Sequence, residues 1–232
     1  MIIFSPTKTM SNNKKTEKKV TYPFIDKTDY LINKLKSLSI EEIKKQMRVN
    51  ENISKEVFNY YNQYPVYKSE AINIYNGISY KQIIDDDEKY IDNNVFILSA
   101  LYGMINGNDI IAPYRLDFLI KKDFQINLYQ YWKPTINEVI SSMAPKYILN
   151  LASKEFSKLI NLEDLNIIIY ELSFNTDKKI SSVTMKKIRG QILNLSIKYK
   201  ICEIEDYINL ETDLFIITKI KGNEVVLNLK NM

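Results

Sequence analysis

Short apolar runs recur along this chain, and most of them end in small or polar residues. Runs of four to eight apolar residues, rich in isoleucine, leucine and aromatic side chains, are typical of strands buried inside a sheet. They predict strands over residues 2–5, 71–75, 95–99, 147–151, 165–174 and 180–183. Two last runs, residues 214–220 and 225–229, flank Gly222-Asn223 and predict an antiparallel β-hairpin.

Apolar residues at helical spacing separate most of these strands. Ser39 and Glu42 have the spacing of a capping box, so a helix should begin just after Ser39. A break at Val49-Asn50 leads into the next helix, and two short helices with a tight connection could form a helix-hairpin-helix that presents backbone amides to a phosphate. That motif has a glycine-rich connection, which is missing here, and this favours an ordinary helical hairpin. The other predicted helices cover residues 26–38, 51–61, 80–84, 128–143, 153–160 and 184–199.

The alternation of strands and helices predicts an α/β (α+β) fold, in which helices flank a mixed β-sheet. The sheet must be mixed because the closing hairpin is antiparallel, whereas strands joined through helices are usually parallel. No internal repeat or clear linker interrupts the pattern. The sequence therefore predicts a single domain over residues 1–232, with the helices of residues 26–63 as a candidate appended lobe.

The composition narrows the chemistry that the chain can perform. The 232 residues carry a net charge of +4, which permits a polyanionic partner without requiring one. The complete absence of histidine excludes serine or cysteine catalysis with a histidine base and every histidine-ligated metal site. A single cysteine, Cys202, indicates a reducing, cytoplasmic setting without an internal disulfide. We predict no metal site, no cofactor and, because no apolar run is long enough, no membrane span.

Arginine is unusually scarce, since only Arg48, Arg115 and Arg189 occur among 32 basic residues. The excess of lysine, asparagine and isoleucine is typical of a coding sequence that has drifted toward AT-rich codons. An arginine that survives such drift indicates a task that lysine cannot perform, such as gripping a phosphate with a planar fork of donors. Chance survival is the alternative for any one of the three.

Several predicted strands end in small and polar residues, and ligand sites in α/β sheets collect beyond the carboxyl ends of strands. We expect these ends to form one cleft that suits phosphate groups. The expected phosphate contacts are Lys8, Arg115, Lys186, Lys187 and Arg189. The expected lining residues are Ser5, Thr7, Asn76, Gly77, Ser99, Tyr102, Gly103, Tyr114, Asn150 and Ser153.

Structural roles are the alternative for several of these residues. Ser5 and Ser99 could simply end strands or cap helices, and Trp132 has the helical spacing of a core aromatic residue. Asp109 and Asp117 could pair with Arg115 in ordinary salt bridges. No segment matches a Walker loop or a glycine-rich dinucleotide fingerprint.

At these same segments the chain resembles the YaaA-like family of bacterial peroxide-stress proteins. The resemblance rests on motifs that follow one another in the family's order over nearly the whole chain. They are Ser5-Pro6-Thr7-Lys8-Thr9, the stretch from Leu98 to Gly103, the stretch from Ala112 to Asp117, Leu128-Tyr129-Gln130-Tyr131-Trp132, the stretch from Asn150 to Ser153, and the stretch from Lys186 to Gly190. The chain departs from the family at Asn106-Gly107-Asn108, which replaces an Arg-Pro-Leu stretch, and at Tyr75-Asn76-Gly77. We expect both departures to weaken the positive charge near the cleft.

The resemblance implies a cytosolic protein that limits oxidative damage during peroxide stress by keeping free iron low. It also implies an α/β fold with a helix-hairpin-helix-like element and a basic cleft that binds double-stranded DNA. A second hypothesis is an enzyme that acts on a nucleotide or nucleobase in the same cleft, with Lys8 as phosphate anchor or nucleophile and Asp109 as general base. Whether the chain is an enzyme is left open by the sequence.

Overall fold

A computed structural model describes residues 1–11, 16–120, 124–161 and 166–230 of the chain. Within these ranges, one mixed sheet contains seven strands: β1 (Ile2–Phe4), β3 (Val95–Ser99), β4 (Gly103–Asn106), β6 (Tyr147–Asn150), β7 (Ile168–Phe174), β8 (Phe215–Lys221) and β9 (Glu224–Leu229). Their order across the sheet is β4-β3-β1-β6-β7-β9-β8. A separate two-stranded ribbon pairs β2 (Ser69–Glu70) with β5 (Ile110–Ile111).

The centre of the sheet is parallel and its two edges are antiparallel. β1 pairs in parallel with both β3 and β6, and β7 continues the parallel part to β9. β4 and β8 each run antiparallel to their neighbours. The five parallel strands therefore follow the order 2-1-3-4-5, in which the chain first moves to one side of β1 and then to the other. This confirms the predicted mixed sheet and its closing hairpin.

Helices flank the sheet, as the alternating pattern predicts. Their bounds are α1 (Ile25–Lys36), α2 (Ile40–Met47), α3 (Glu51–Asn62), α4 (Ala71–Ile74), α5 (Glu88–Asn94), α6 (Leu128–Met143), α7 (Lys154–Ser157) and α8 (Ser182–Tyr199). Short 3₁₀ turns occupy Tyr80–Gln82 and Ile204–Tyr207. Trp132 of α6 is fully buried and donates to the Ala100 carbonyl, so it is a core aromatic residue.

Two predicted strands are wrong. Residues 71–74 form the single helical turn α4, and Tyr75 follows it in an isolated antiparallel bridge with Met10. Ala71, Ile74 and Tyr75 are the buried positions, and their i, i+3, i+4 spacing suits a helical turn better than a strand. Residues 180–183 form no strand either, since Ser181 caps α8, which begins at Ser182. The short strands β2, β4 and β5 were not predicted. Leu165, at the start of the predicted strand 165–174, lies outside the described residues.

The helical hairpin of α2 and α3 begins as predicted. Ser39 and Glu42 form both halves of the capping box. The connection between the helices is tight, and the amides of Arg48 and Val49 both donate to the Lys44 carbonyl. These amides are therefore engaged within the hairpin rather than directed at a ligand. The buried side chains Ile43, Val57 and Tyr61 belong to the same hydrophobic core as the sheet.

In the part of the chain that the structure describes, three helices end in the left-handed backbone region without a glycine. The residues are Arg48, Ala144 and Lys200, at φ 54°, 41° and 53°. Glycine is the usual residue at such positions because it carries no Cβ. With five glycines in the whole chain, these helix ends use other residues and carry backbone strain.

Ala144→Gly should therefore stabilise the protein by about 0.5–1 kcal/mol. The variant relieves about 1–2 kcal/mol of left-handed strain, offset by about 0.4–1 kcal/mol of extra chain entropy in the unfolded state. Thermal or urea unfolding measures the change. Ser142→Gly, inside the same helix, is the control and should lower stability by about 0.5–1 kcal/mol. Equal losses in both variants would contradict the assigned strain.

No helix in the described ranges combines the length and the apolar character needed to cross a lipid bilayer.

Candidate functional site

A cavity of about 490 Å³ opens beyond the carboxyl ends of β1 and β6. These two strands lie where the 2-1-3-4-5 order reverses direction, which is the usual place for a ligand in an open α/β sheet. Its walls come from the segment after β1, the segment between α4 and the turn at Tyr80–Gln82, the segment after β5, the region of α7, and one face of α8. Its volume lies within the range of about 300–1,000 Å³ typical of small-molecule sites.

Ser5 joins two of these walls. Its Oγ accepts a hydrogen bond of 2.8 Å from the Ser153 amide, and its carbonyl accepts one of 3.0 Å from the Tyr80 hydroxyl. The segment that follows β1 is thus held both to the segment that follows β6 and to the 3₁₀ turn. This explains why a small residue that bonds through both its side chain and its backbone follows β1.

A buried hydroxyl network supports the cavity from below. The Tyr114 hydroxyl lies 2.9 Å from that of Tyr75 and accepts a hydrogen bond of 2.8 Å from Ser99 Oγ. Burial raises the pKa of Tyr114 to about 12, so this hydroxyl keeps its proton at neutral pH. Tyr114 lines the cavity, whereas Ser99 is completely buried and also accepts from the amides of Leu101 and Tyr102.

Cationic side chains reach the cavity from four segments. They are Lys8, Lys81, Arg115, Lys186 and Arg189. Of these, Lys8 forms a 2.8 Å salt bridge with Asp117. Within the described ranges, the guanidinium groups of Arg115 and Arg189 make no hydrogen bond or ion pair, and Arg115 Nε is buried without a partner. Burial lowers the pKa of Arg189, although the charge of Glu171 acts in the opposite direction.

The backbone of Arg115 is held in place by the helical hairpin. The Tyr61 hydroxyl of α3 donates a hydrogen bond of 2.6 Å to the Arg115 carbonyl and accepts one of 3.2 Å from its amide. Tyr61 is fully buried. The hairpin therefore contributes to the site by fixing the position of an arginine.

Among the described residues, two carboxylates also line the cavity. Asp117 pairs with Lys8 and not with Arg115, so the alternative of an ordinary salt bridge between Asp117 and Arg115 is not what the structure shows. Glu155, in α7, is half-buried. Burial raises the pKa of its carboxyl group, Asp117 raises it further, and Lys8 and Lys158 lower it.

The structure brings together most of the residues expected in one cleft. The expected residues that line the cavity are Ser5, Thr7, Lys8, Asn76, Gly77, Tyr114, Arg115, Ser153, Lys186 and Arg189. Lys187 does not line it, because Lys186 and Lys187 are consecutive on α8 and only Lys186 lies on the face toward the cavity.

Four residues expected in the lining lie elsewhere. Ser99 and Tyr102 are buried below the cavity, where the Tyr102 hydroxyl donates to the Ala112 carbonyl. Gly103 turns the chain back into β4 at φ +78°, packed against the Trp132 ring. Asn150 is buried, donates to Glu171 Oε1 and accepts from the Ala152 amide.

Asp109 does not lie in the cavity. β4 runs antiparallel to β3, so the turn after Asn106 lies beside the start of β3, at the end of the strands opposite to the cavity. There Asp109 accepts hydrogen bonds from the Asn106 amide and the Thr21 hydroxyl. The departure at Asn106-Gly107-Asn108 is in this same turn, where Asn106 and Asn108 bond to backbone carbonyls, so it leaves the charge of the cavity unchanged.

Sequence reasoning missed Lys81, Glu155 and the pairing of Asp117 with Lys8. Glu155 follows Ser153 by two residues, so its closeness to a strand end was a usable signal. Lys81 and the partner of Asp117 gave no such signal, because the relevant contacts join segments that are distant in sequence.

Comparison with known proteins places this arrangement in a family. The family model described as "Peroxide stress protein YaaA" matches residues 1–220. A UPF0246 protein of Fusobacterium nucleatum is 35% identical over 237 residues, covering 96% of this chain and 95% of its own length. UPF0246 proteins of Clostridioides difficile and Francisella philomiragia are 32% and 33% identical, each covering 89% of this chain.

Proposed function

The chain belongs to the family of peroxide stress protein YaaA, and from this premise we propose that it acts in the bacterial response to peroxide by binding phosphate groups in its cleft. The observation that supports this most directly is Arg115. Its Nε is buried at the cavity and has no partner among the described residues, although unpaired buried donors are costly and rare. Lys186 and Arg189 reach the same space from α8. Arginine is suited to two-point recognition of phosphate.

Double-stranded DNA is the first ligand that we propose. We also propose that the protein is located in the cytoplasm. By holding the phosphate backbone, the protein would limit the DNA damage that free iron and peroxide cause. This would add to the effect that the family resemblance implies, which is to keep free iron low. Binding through phosphates is insensitive to sequence and weakens steeply with salt. The positive side chains that have no ion pair in the described ranges, Lys81, Lys186, Arg115 and Arg189, support this ligand class.

Lys186→Gln should weaken duplex binding and reduce the steepness of its salt dependence, whereas Lys187→Gln should not. The two lysines are neighbours on one helix, both are exposed, and their substitution changes the charge equally, but only Lys186 lines the cavity. Fluorescence anisotropy of a labelled duplex across a salt series measures both effects. Loss of one phosphate contact should reduce the slope of log K against log salt by about 1. Equal changes in both variants would mean that only the general lysine charge attracts DNA.

An enzyme that acts on a nucleotide or nucleobase in the same cleft is the second candidate. Two features favour it: the cavity has the volume of a small-molecule site, and Asp117 and Glu155 add carboxylates that a DNA-binding groove does not need. Lys8 remains the proposed phosphate anchor. Asp109 is remote from the cavity, so Glu155 replaces it as the candidate acid or base. Thermal unfolding with millimolar nucleotides tests this, and an unchanged midpoint would contradict it.

A further inference from the structure

Glu155 is fixed in position by contacts on both sides. Two residues before it, the Ser153 amide donates to Ser5 Oγ, and the Glu155 carbonyl accepts a hydrogen bond of 3.1 Å from the Tyr129 hydroxyl. The next residue, Phe156, packs against Phe118 with ring centroids 5.5 Å apart. The side chain therefore projects from a fixed backbone into the wall of the cavity, and it is not part of a loose surface loop.

The carboxylate of Glu155 has no fixed partner. Over the ranges that the structure describes, it makes no hydrogen bond and no ion pair within 4.0 Å. Two ammonium groups lower the pKa of its carboxyl group, those of Lys8 and Lys158. Lys8 is already bound to Asp117 at 2.8 Å, and neither lysine approaches Glu155 closely enough to form an ion pair in the described ranges. Glu155 is therefore a half-buried hydrogen-bond acceptor that faces the cavity and is free to bind a ligand.

Such an acceptor is a disadvantage for binding phosphate alone. A carboxylate without a partner repels a phosphate in the same small cavity, because like charges that share a partly desolvated space raise each other's free energy. The same carboxylate is an advantage when the ligand also carries hydroxyl or amino groups, since an ionised acceptor forms the stronger class of hydrogen bond. In dinucleotide sites of α/β folds, an acidic side chain accepts from a ribose hydroxyl in this way.

We propose that Glu155 accepts a hydrogen bond from a hydroxyl or amino group on the phosphate-bearing ligand, and that this ligand is a nucleotide or sugar phosphate. The phosphate contacts Arg115 and Arg189, and the donor group contacts Glu155. The cavity thus has a cationic side and an acceptor side, which together select a phosphate ester over inorganic phosphate. This inference rests on the proposed phosphate-binding function, in the form of its second candidate ligand, and adds the group by which that ligand is recognised besides its phosphate.

Calorimetric titration of four ligands tests it: inorganic phosphate, ribose 5-phosphate, AMP and 2′-deoxy-AMP. Glu155→Ala should weaken AMP binding about tenfold or more, because a charge-assisted hydrogen bond is lost. The same variant should bind inorganic phosphate equally well or several-fold more tightly, because a repulsive charge is removed. Glu138→Ala, an exposed glutamate of α6 that does not line the cavity, is the matched control and should change neither affinity.

The four ligands also locate the donor group. If Glu155→Ala weakens the binding of ribose 5-phosphate and AMP but not of 2′-deoxy-AMP, the donor group is the 2′-hydroxyl. If it weakens the binding of AMP and 2′-deoxy-AMP but not of ribose 5-phosphate, the donor group is on the base. Should Glu155→Ala fail to fold, Glu155→Gln keeps the shape and should give a smaller change in the same directions. An unchanged ratio of AMP to phosphate affinity overturns this inference alone. Failure of the wild type to bind phosphate, nucleotides and duplex overturns the proposed function with it.

Discussion

Gly190→Ala is expected to destabilise the protein by about 2 kcal/mol or more, the cost of an overpacked core position. The sign is unusual, because alanine inside a helix is normally favoured over glycine by about 1 kcal/mol. In α8, however, a Cβ atom at residue 190 would stand 2.1 Å from the Ser79 carbonyl oxygen and 2.8 Å from its carbonyl carbon. Backbone atoms cannot rotate away, so α8 would have to separate from the segment that carries Ser79.

Urea unfolding measures this loss, with Lys187→Ala as control. Lys187 is exposed on the same helix, so its substitution should change stability by less than about 0.5 kcal/mol. Because Ser79 and Arg189 both line the cavity, Gly190→Ala should also weaken phosphate binding, even in the molecules that remain folded. A Gly190→Ala protein as stable as the wild type would show that α8 does not approach the 3₁₀ turn this closely.

The central strands could be predicted because burial on both faces leaves continuous apolar runs. β1, β3 and β6 show such runs, and all five residues of β3 are buried. The prediction failed for residues 71–75 because a run of five residues is too short to separate the strand period from the helix period. Only the buried positions of Ala71, Ile74 and Tyr75 decide between them.

Part of the cavity followed from the same reasoning. The segments after β1 and β6 meet because parallel neighbours end at the same edge, which brings Ser5 to Ser153. The prediction that the segment after β3 lines the cavity was wrong, because the chain turns at Gly103 straight into antiparallel β4. Ser99 and Tyr102 are therefore covered by their own turn and by Tyr114. The pairing of Lys8 with Asp117 spans 109 residues and depends on the path of two loops, which no local pattern encodes.

The double variant Arg115→Gln/Arg189→Gln is expected to lose at least 100-fold in affinity for duplex DNA or for nucleotides at low salt. A hydrogen bond to a charged group contributes about 1.5–3 kcal/mol, so two arginines account for about 3–6 kcal/mol, or roughly 10²–10⁴ in affinity. Anisotropy and calorimetry measure the loss. Arg48→Gln is the control, because Arg48 is exposed at the end of α2 and does not line the cavity.

The double variant should lose affinity for the ligand but should not lose stability. The two measurements together distinguish arginines that bind a ligand from arginines that stabilise the fold. Neither guanidinium has a hydrogen bond or ion pair in the described part of the chain, and burial already lowers the pKa of Arg189, so its charge is unfavourable in the free protein. The double variant should therefore unfold at the same temperature as the wild type or at a higher one. A lower unfolding temperature together with weaker binding would assign the two arginines to the fold. Unchanged binding would move the phosphate site away from this cavity. If Arg115 and Arg189 serve to bind an anionic ligand, the double variant should combine weaker binding with undiminished stability.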